Sequence, residues 1–152
     1  MRGHGQRGFS LVEVVIALGL LAGVLISISG LFIIGAKQVQ SGRTSSEAVA
    51  VGRTILEEMN KWGFRQTYQI FGYDGATTSY SVDTRTNAYA TKWQPLLASN
   101  LVNSYATIQL QSLGPGGTPP NMSASLAIRV LVTVKWDEGA RHRTVQVGTV
   151  RM

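Results

Sequence analysis

From Val14 to Ala36 the chain runs for 23 residues without a charged side chain. As an α-helix rising about 1.5 Å per residue, that stretch would reach about 34 Å, enough to cross a hydrocarbon core of roughly 30 Å once. A helix that is apolar on every side must be covered on every side, by lipid or by other helices. At 152 residues the chain is one domain's worth, and 14% charged residues is well below the roughly 25% of soluble globular proteins. An ordinary soluble domain does not fit this sequence.

The flanks give the run a direction. Met1 to Gly8 carries Arg2 and Arg7 and no acid, and the positive-inside tendency holds such a leader in the cytoplasm with the bulk of the chain exported. Lys37 and Arg43, beyond the run, pull weakly the other way. A secretory signal has an apolar region of about 7 to 15 residues before a small-residue cleavage site. The run exceeds that length, and Ile34-Gly35-Ala36 before Lys37 is a poor cleavage site, so release as a soluble exported domain is the minor alternative.

Composition narrows the chemistry. With no cysteine there is no disulfide framework, thiol nucleophile or thiolate metal site, and the two histidines, His4 and His142, give a triad or a multi-histidine site almost nothing to draw on. The expectation is a protein that is not an enzyme and holds no cofactor or metal. Asp74 and Asp83 are candidates for a calcium site, but no dense oxygen-ligand loop surrounds them and two surface acids explain them as well.

The front of the apolar run is its most specific part. Arg7-Gly8-Phe9-Ser10-Leu11-Val12-Glu13 places a glycine after a basic leader, then Phe, then a single acid embedded in apolar sequence that continues as Val14-Val15-Ile16-Ala17-Leu18. This resembles the N-terminal signature of type IV pilins and type II secretion pseudopilins. The resemblance implies that a prepilin peptidase cuts between Gly8 and Phe9, that the new amine of Phe9 is methylated, and that the apolar helix stays on the mature chain. It also gives Glu13 a partner, the N-terminal amine of a neighbouring subunit in a filament. From the residues alone Glu13 has a second reading, since Ser10-Leu11-Val12-Glu13 is an S-x-x-E capping box at a helix start.

Within the run Gly19, Gly23 and Ser27 recur every four residues, a small-residue face on which helices can approach closely. Glycine is also simply commoner in membrane helices. Gly30 stands where the family's major members often have proline, a place associated with a loosened helix.

After Lys37 the pattern becomes amphipathic. Ala48, Val51, Ile55, Met59 and Trp62 follow helical spacing, which predicts a soluble second half of the same helix ending near Gly63, with Ser41-Gly42 a place for a bend. Residues 64 to 104 predict loops with one or two short strands. Tyr105 to Gln111 and Leu126 to Trp136 alternate, and Val145 and Val147 begin another alternating run, so an antiparallel sheet of three or more strands follows, with Asp137-Glu138-Gly139-Ala140 as a hairpin turn. Gly114 to Pro120 reads as an exposed loop, and Asn121-Met122-Ser123 behind it is a weak N-x-S acceptor motif. The segment Val132 to Trp136, a charged turn, and Thr144 to Thr149 resemble the last hairpin of V-type minor pilins and I-type pseudopilins.

Lys135, Arg141 and Arg143 gather around that turn with Trp136, which offers a second reading as a DNA contact; charges that blunt an edge strand are the plainer one. Of the +6 net charge, the leader supplies two.

The expected organisation is a leader at 1–8, a transmembrane and filament-core helix at 9–36, an amphipathic continuation at 37–63 and an α+β head at 64–152, with the helix's second half on a C-terminal antiparallel sheet. The expected protein is a minor pilin of a type IV pilus, N-terminus in the cytoplasm and head exported from the cytoplasmic membrane. Its implied partners are a prepilin peptidase, other pilins or pseudopilins, and an inner-membrane assembly platform. A type II secretion pseudopilin and a DNA-binding or adhesive tip module are the alternatives.

Overall fold

The computed structural model describes residues 10–114 and 120–152. They fall into two compact units divided between Gln40 and Ser41. One helix, α1 (Leu11–Asn60), contributes to both. It continues through Gly30 and through Ser41-Gly42 without interruption, and Thr44 and Ser46 direct their hydroxyls back to the Ser41 and Gly42 carbonyls.

In the first unit, residues 10–40 are exposed throughout, with Leu11, Ile26 and Phe32 each more than 70% accessible. This helix is long and apolar enough to cross a membrane. Its surface has no protein cover among the described residues.

The second unit is a pilin-like α+β arrangement. After α1 come α2 (Gln66–Gln69), β1 (Ser79–Asp83), a 3-10 turn at Ala90–Trp93 leading into α3 (Gln94–Asn100), β2 (Tyr105–Leu113), β3 (Ala127–Glu138) and β4 (Arg141–Arg151). The strands form one antiparallel sheet in the order β1-β2-β3-β4. Because successive strand residues point to opposite faces, the even positions of β3, Ile128 to Trp136, form one buried row. Ala48, Val51, Gly52, Ile55, Leu56 and Met59 of α1 lie on this helix-side face and complete the core.

Two glycines decide local geometry. A Cβ on Gly52 would lie 2.6 Å from Val147 Cγ2 and 3.6 Å from Val134 Cγ2, so the helix meets the sheet where only hydrogen leaves room. Gly139 has φ +61° in the two-residue loop between β3 and β4, the conformation that matches a hairpin turn to the strands' twist and that glycine adopts without strain.

The helix ends at Asn60, three residues before the expected Gly63. Its last turn has no basic residue; the cation comes instead from the other end of the chain, where Arg151 of β4 donates to the carbonyls of Met59, Asn60 and Trp62. A guanidinium there adds charged hydrogen bonds to the last carbonyls, of which that of Met59 also accepts the Trp62 amide at 3.1 Å, and sits at the negative end of the helix dipole. Arg151→Ala is expected to destabilise the head by about 1–3 kcal/mol, because it removes charged hydrogen bonds to these carbonyls, and Arg151→Lys is expected to recover only part of the loss. A thermal melt of the three proteins checks this.

Residues 64–104 hold more helix than expected. Asn87 opens the turn that leads into the 3-10 segment, its side-chain oxygen accepting the Tyr89 and Ala90 amides at 3.0 and 3.1 Å. Pro95 stands in the first turn of α3, where a missing N–H costs nothing. The region is tied to the end of α1 by an aromatic group, Trp62, Phe71, Tyr89 and Trp93, with ring centroids 5.5 to 6.3 Å apart. Glu58 of α1 accepts the Trp93 indole N–H at 2.6 Å and pairs with Lys92. The Lys92 ammonium lies 3.9 Å from the Tyr89 ring centroid.

Candidate functional site

Two places carry the sequence-derived functional residues, the start of α1 and the β3–β4 hairpin. Gly8 and Phe9, the expected processing and methylation positions, lie outside the described residues, as do the leader and most of the Gly114–Pro120 loop. Helix α1 opens with the Ser10 carbonyl accepting the Val14 amide at 3.2 Å, which puts Glu13 in the first turn with its side chain exposed. A carboxylate there favours the positive end of the helix dipole.

Gly19, Gly23 and Ser27 share one face of α1. A Cβ on either glycine would meet nothing within 4 Å, and the Ser27 hydroxyl is satisfied by the Gly23 carbonyl at 2.9 Å. The stripe is therefore open and offers no unsatisfied polar group to an apolar surrounding. Gly30 is equally open.

At the hairpin the register separates the three cations. Lys135 is opposite Thr144, whereas Arg143 is opposite Trp136 and Arg141 opposite Glu138. Directly opposed residues share a face, so Lys135 projects from the outer face, and Arg141 and Arg143 belong to the helix-side face. Arg143 is committed there: its Nε donates to Glu138 at 2.8 Å and its Nη2 to Ser41 Oγ at 3.2 Å, while Ser41 Oγ donates to the same carboxylate at 3.1 Å. Trp136 is buried at 3% exposure and presents no ring for stacking.

The aromatic beside Lys135 is Tyr105, a residue the sequence did not single out for this surface. Its ring has the Arg85 guanidinium 3.7 Å and the Lys135 ammonium 5.5 Å from its centroid. A groove of about 330 Å³ runs past Tyr105, Lys135, Asn103, Asp137, His142 and Thr144. Asp137 takes the His142 ring nitrogen at 2.6 Å and the Asn103 amide at 3.1 Å. The groove thus mixes both signs of charge.

Asp74 and Asp83 stay apart in function. Asp74 accepts the Ala76 amide, and Asp83 is held by Nε, Nη2 and the backbone amide of Arg85. Among the described residues no three histidine or acidic side chains cluster in a way that could hold a metal ion. In the N-x-S motif Asn121 caps a 3-10 turn by accepting the Ala124 amide, and Ser123 donates its hydroxyl to the same oxygen at 3.2 Å.

Four carboxylates are held below their ordinary pKa. The Arg85 hydrogen bond does this for Asp83, the His142 and Asn103 bonds for Asp137, and the Arg143 bond for Glu138. Burial pushes Glu58 up, but the bonds from Lys92 and Trp93 and the charges of Lys92 and Lys61 outweigh it. A depressed carboxylate contributes stability that is complete above its unfolded pKa and is lost as pH falls through the lower folded value. Head stability is therefore expected to stay level from neutral pH down to the ordinary glutamate value of 4.5 and to fall below it. Denaturant midpoints measured across that range check the expectation.

No family model, curated protein or solved structure matches the chain. The functional reading rests on the sequence and this geometry alone.

Proposed function

We propose that the chain is a structural subunit, a minor pilin, of a type IV pilus, cut between Gly8 and Phe9 and drawn from the cytoplasmic membrane into a filament. The observation that carries the reading is the first unit of α1, apolar and exposed on every side, with a single acid in its first turn. Lipid covers such a surface before assembly and the helices of neighbouring subunits cover it afterwards. Glu13, the open Gly19-Gly23-Ser27 stripe and a compact head fit such a subunit. The resemblance implies that prepilin peptidase and an inner-membrane platform act on it, with the N-terminus starting in the cytoplasm.

Mechanical shearing of cells tests the proposal. The chain is expected in the cytoplasmic membrane and in the sheared surface fraction, and absence from the sheared fraction would argue for the type II secretion alternative, whose filament does not extend from the cell surface. Neighbouring genes separate the two machines as well, retraction and pilus-assembly genes marking one and a secretin with secretion-platform genes the other. A DNA-binding tip role draws little support from a hairpin whose Lys135 and Arg143 face opposite ways and whose Arg143 is already paired.

A further inference from the structure

Chain length alone ties one end of the head to the end of the apolar run. The uncharged run stops at Ala36, and Ser41, the first residue of the second unit, follows five positions later. Five residues reach about 8 Å as helix and at most about 18 Å fully extended, a bound that holds whatever angle the two units make. The headgroup layer of a bilayer adds about 5–8 Å on each side of its hydrocarbon core. With the apolar run in a membrane, Ser41 therefore stands at the outer edge of the headgroups or a little beyond.

The β3–β4 turn is fastened to that point. Ser41 Oγ donates to Glu138 and accepts from Arg143, 97 and 102 positions away in sequence. The residues between those two partners, Gly139 to His142, thus belong to the same end of the head, and all four are exposed. The other end of the sheet is distant. Gln111 pairs with Arg129 of β3, and Arg129 is eight positions along that strand from Asp137, or about 26 Å.

The charges around the turn are spent unevenly. Asp137 accepts from His142 and Asn103, Glu138 from Arg143 and Ser41, and Glu47 of α1 from Arg43. Arg141 lies opposite Glu138 across the hairpin, yet its guanidinium has no hydrogen bond or ion pair among the described residues. Lys37, the first charge after the apolar run, is exposed as well. The acids are held inside the protein, and the charge left over is basic.

We infer that the β3–β4 turn is a membrane-surface contact, with Arg141 donating to the anionic phosphate headgroups of the leaflet from which the head emerges. The planar fork of a guanidinium matches a phosphate, and one arginine near an anionic lipid surface strengthens binding about fivefold. The contact belongs to the subunit stored in the membrane, and drawing the chain into a filament breaks it. The inference rests on the membrane-anchored part of the proposed function and not on the filament.

Quenching by labelled lipid tests it in the full chain, which has no cysteine of its own. A140C and Q111C, each carrying a fluorophore on the new thiol, are reconstituted into vesicles of phosphatidylcholine alone or of equal parts phosphatidylcholine and phosphatidylglycerol. Both vesicles contain phosphatidylcholine spin-labelled on its headgroup. The A140C label is expected to be quenched, more strongly with phosphatidylglycerol and less at high salt, and the Q111C label is expected to stay bright. Arg141→Gln in the A140C chain removes the charge without setting a second acid against Glu138. It is expected to shift the ratio of docked to free heads about fivefold towards free on the anionic vesicles. Equal quenching at the two sites, or A140C quenching that neither phosphatidylglycerol nor Arg141→Gln changes, overturns the inference. Either result in a chain that still reaches the sheared fraction leaves the filament reading intact; docking by a chain that never reaches that fraction supports the contact and removes the pilus.

Discussion

Glu13→Gln is expected to leave the chain in the membrane and processed, and to remove it from filaments. The side chain stands in the first turn of α1, in a segment with no other acid or base from Ser10 to Ala36. Opposite charges about 4 Å apart attract by about 4 kcal/mol at an effective dielectric near 20. Desolvation offsets much of that, so the pair would set the register between subunits more than add net stability. Losing one partner is another matter, since an uncompensated buried charge costs about 3–5 kcal/mol. Glutamine keeps the side chain's length and its capacity to accept a capping bond at the helix start, which makes the variant a test of charge alone. Comparing its membrane and sheared fractions with wild type checks the expectation, and ordinary incorporation would show that Glu13 serves the helix start and nothing more.

Gly52→Leu is expected to disrupt the seam where α1 meets the sheet. Even a Cβ there would press on Val147 at 2.6 Å, and β-branched valine has little rotamer freedom with which to withdraw. Three further carbons must move α1 off the sheet or force side chains from their rotamers, at about 1–3 kcal/mol or somewhat more. For a domain of this size that is a loss of roughly 5–15 °C in Tm. Gly52→Ala should lose much less, because alanine recovers up to about 1 kcal/mol of helix propensity. A melt in which the leucine variant matches wild type would mean that the helix does not sit where the core requires it.

What the sequence shows and hides follows from the range of the interactions. The 23-residue uncharged run and the alternation of Ile128, Val130, Val132, Val134 and Trp136 are periodic, so the long helix and the sheet's central strand are legible without coordinates. Pairing Lys135 with Arg143 as one patch fails because it needs the cross-strand register, and the opposition of Trp136 to Arg143 sends the two cations to opposite faces. Arg151 as the cap of α1 is illegible for the same reason: cation and carbonyls are some ninety positions apart in sequence. In residues 64–104 the signals existed, Asn87 as a turn start and Pro95 in a helix's first turn, but with 4 to 7 residues these helices are too short to show a period.

Of the candidate functional residues, Glu13 and the Gly19-Gly23-Ser27 stripe owe their reading to local sequence, and the structure adds that both are exposed and unobstructed. Tyr105 entered only through space, as the ring that Arg85 and Lys135 approach.

The most direct measurement of the central claim is the mass of the mature protein's N-terminal peptide, isolated from membranes. Processing as a filament subunit predicts a chain that begins at Phe9 and carries one methyl group on its amine. A chain that begins at Lys37, having lost the apolar helix, would contradict it.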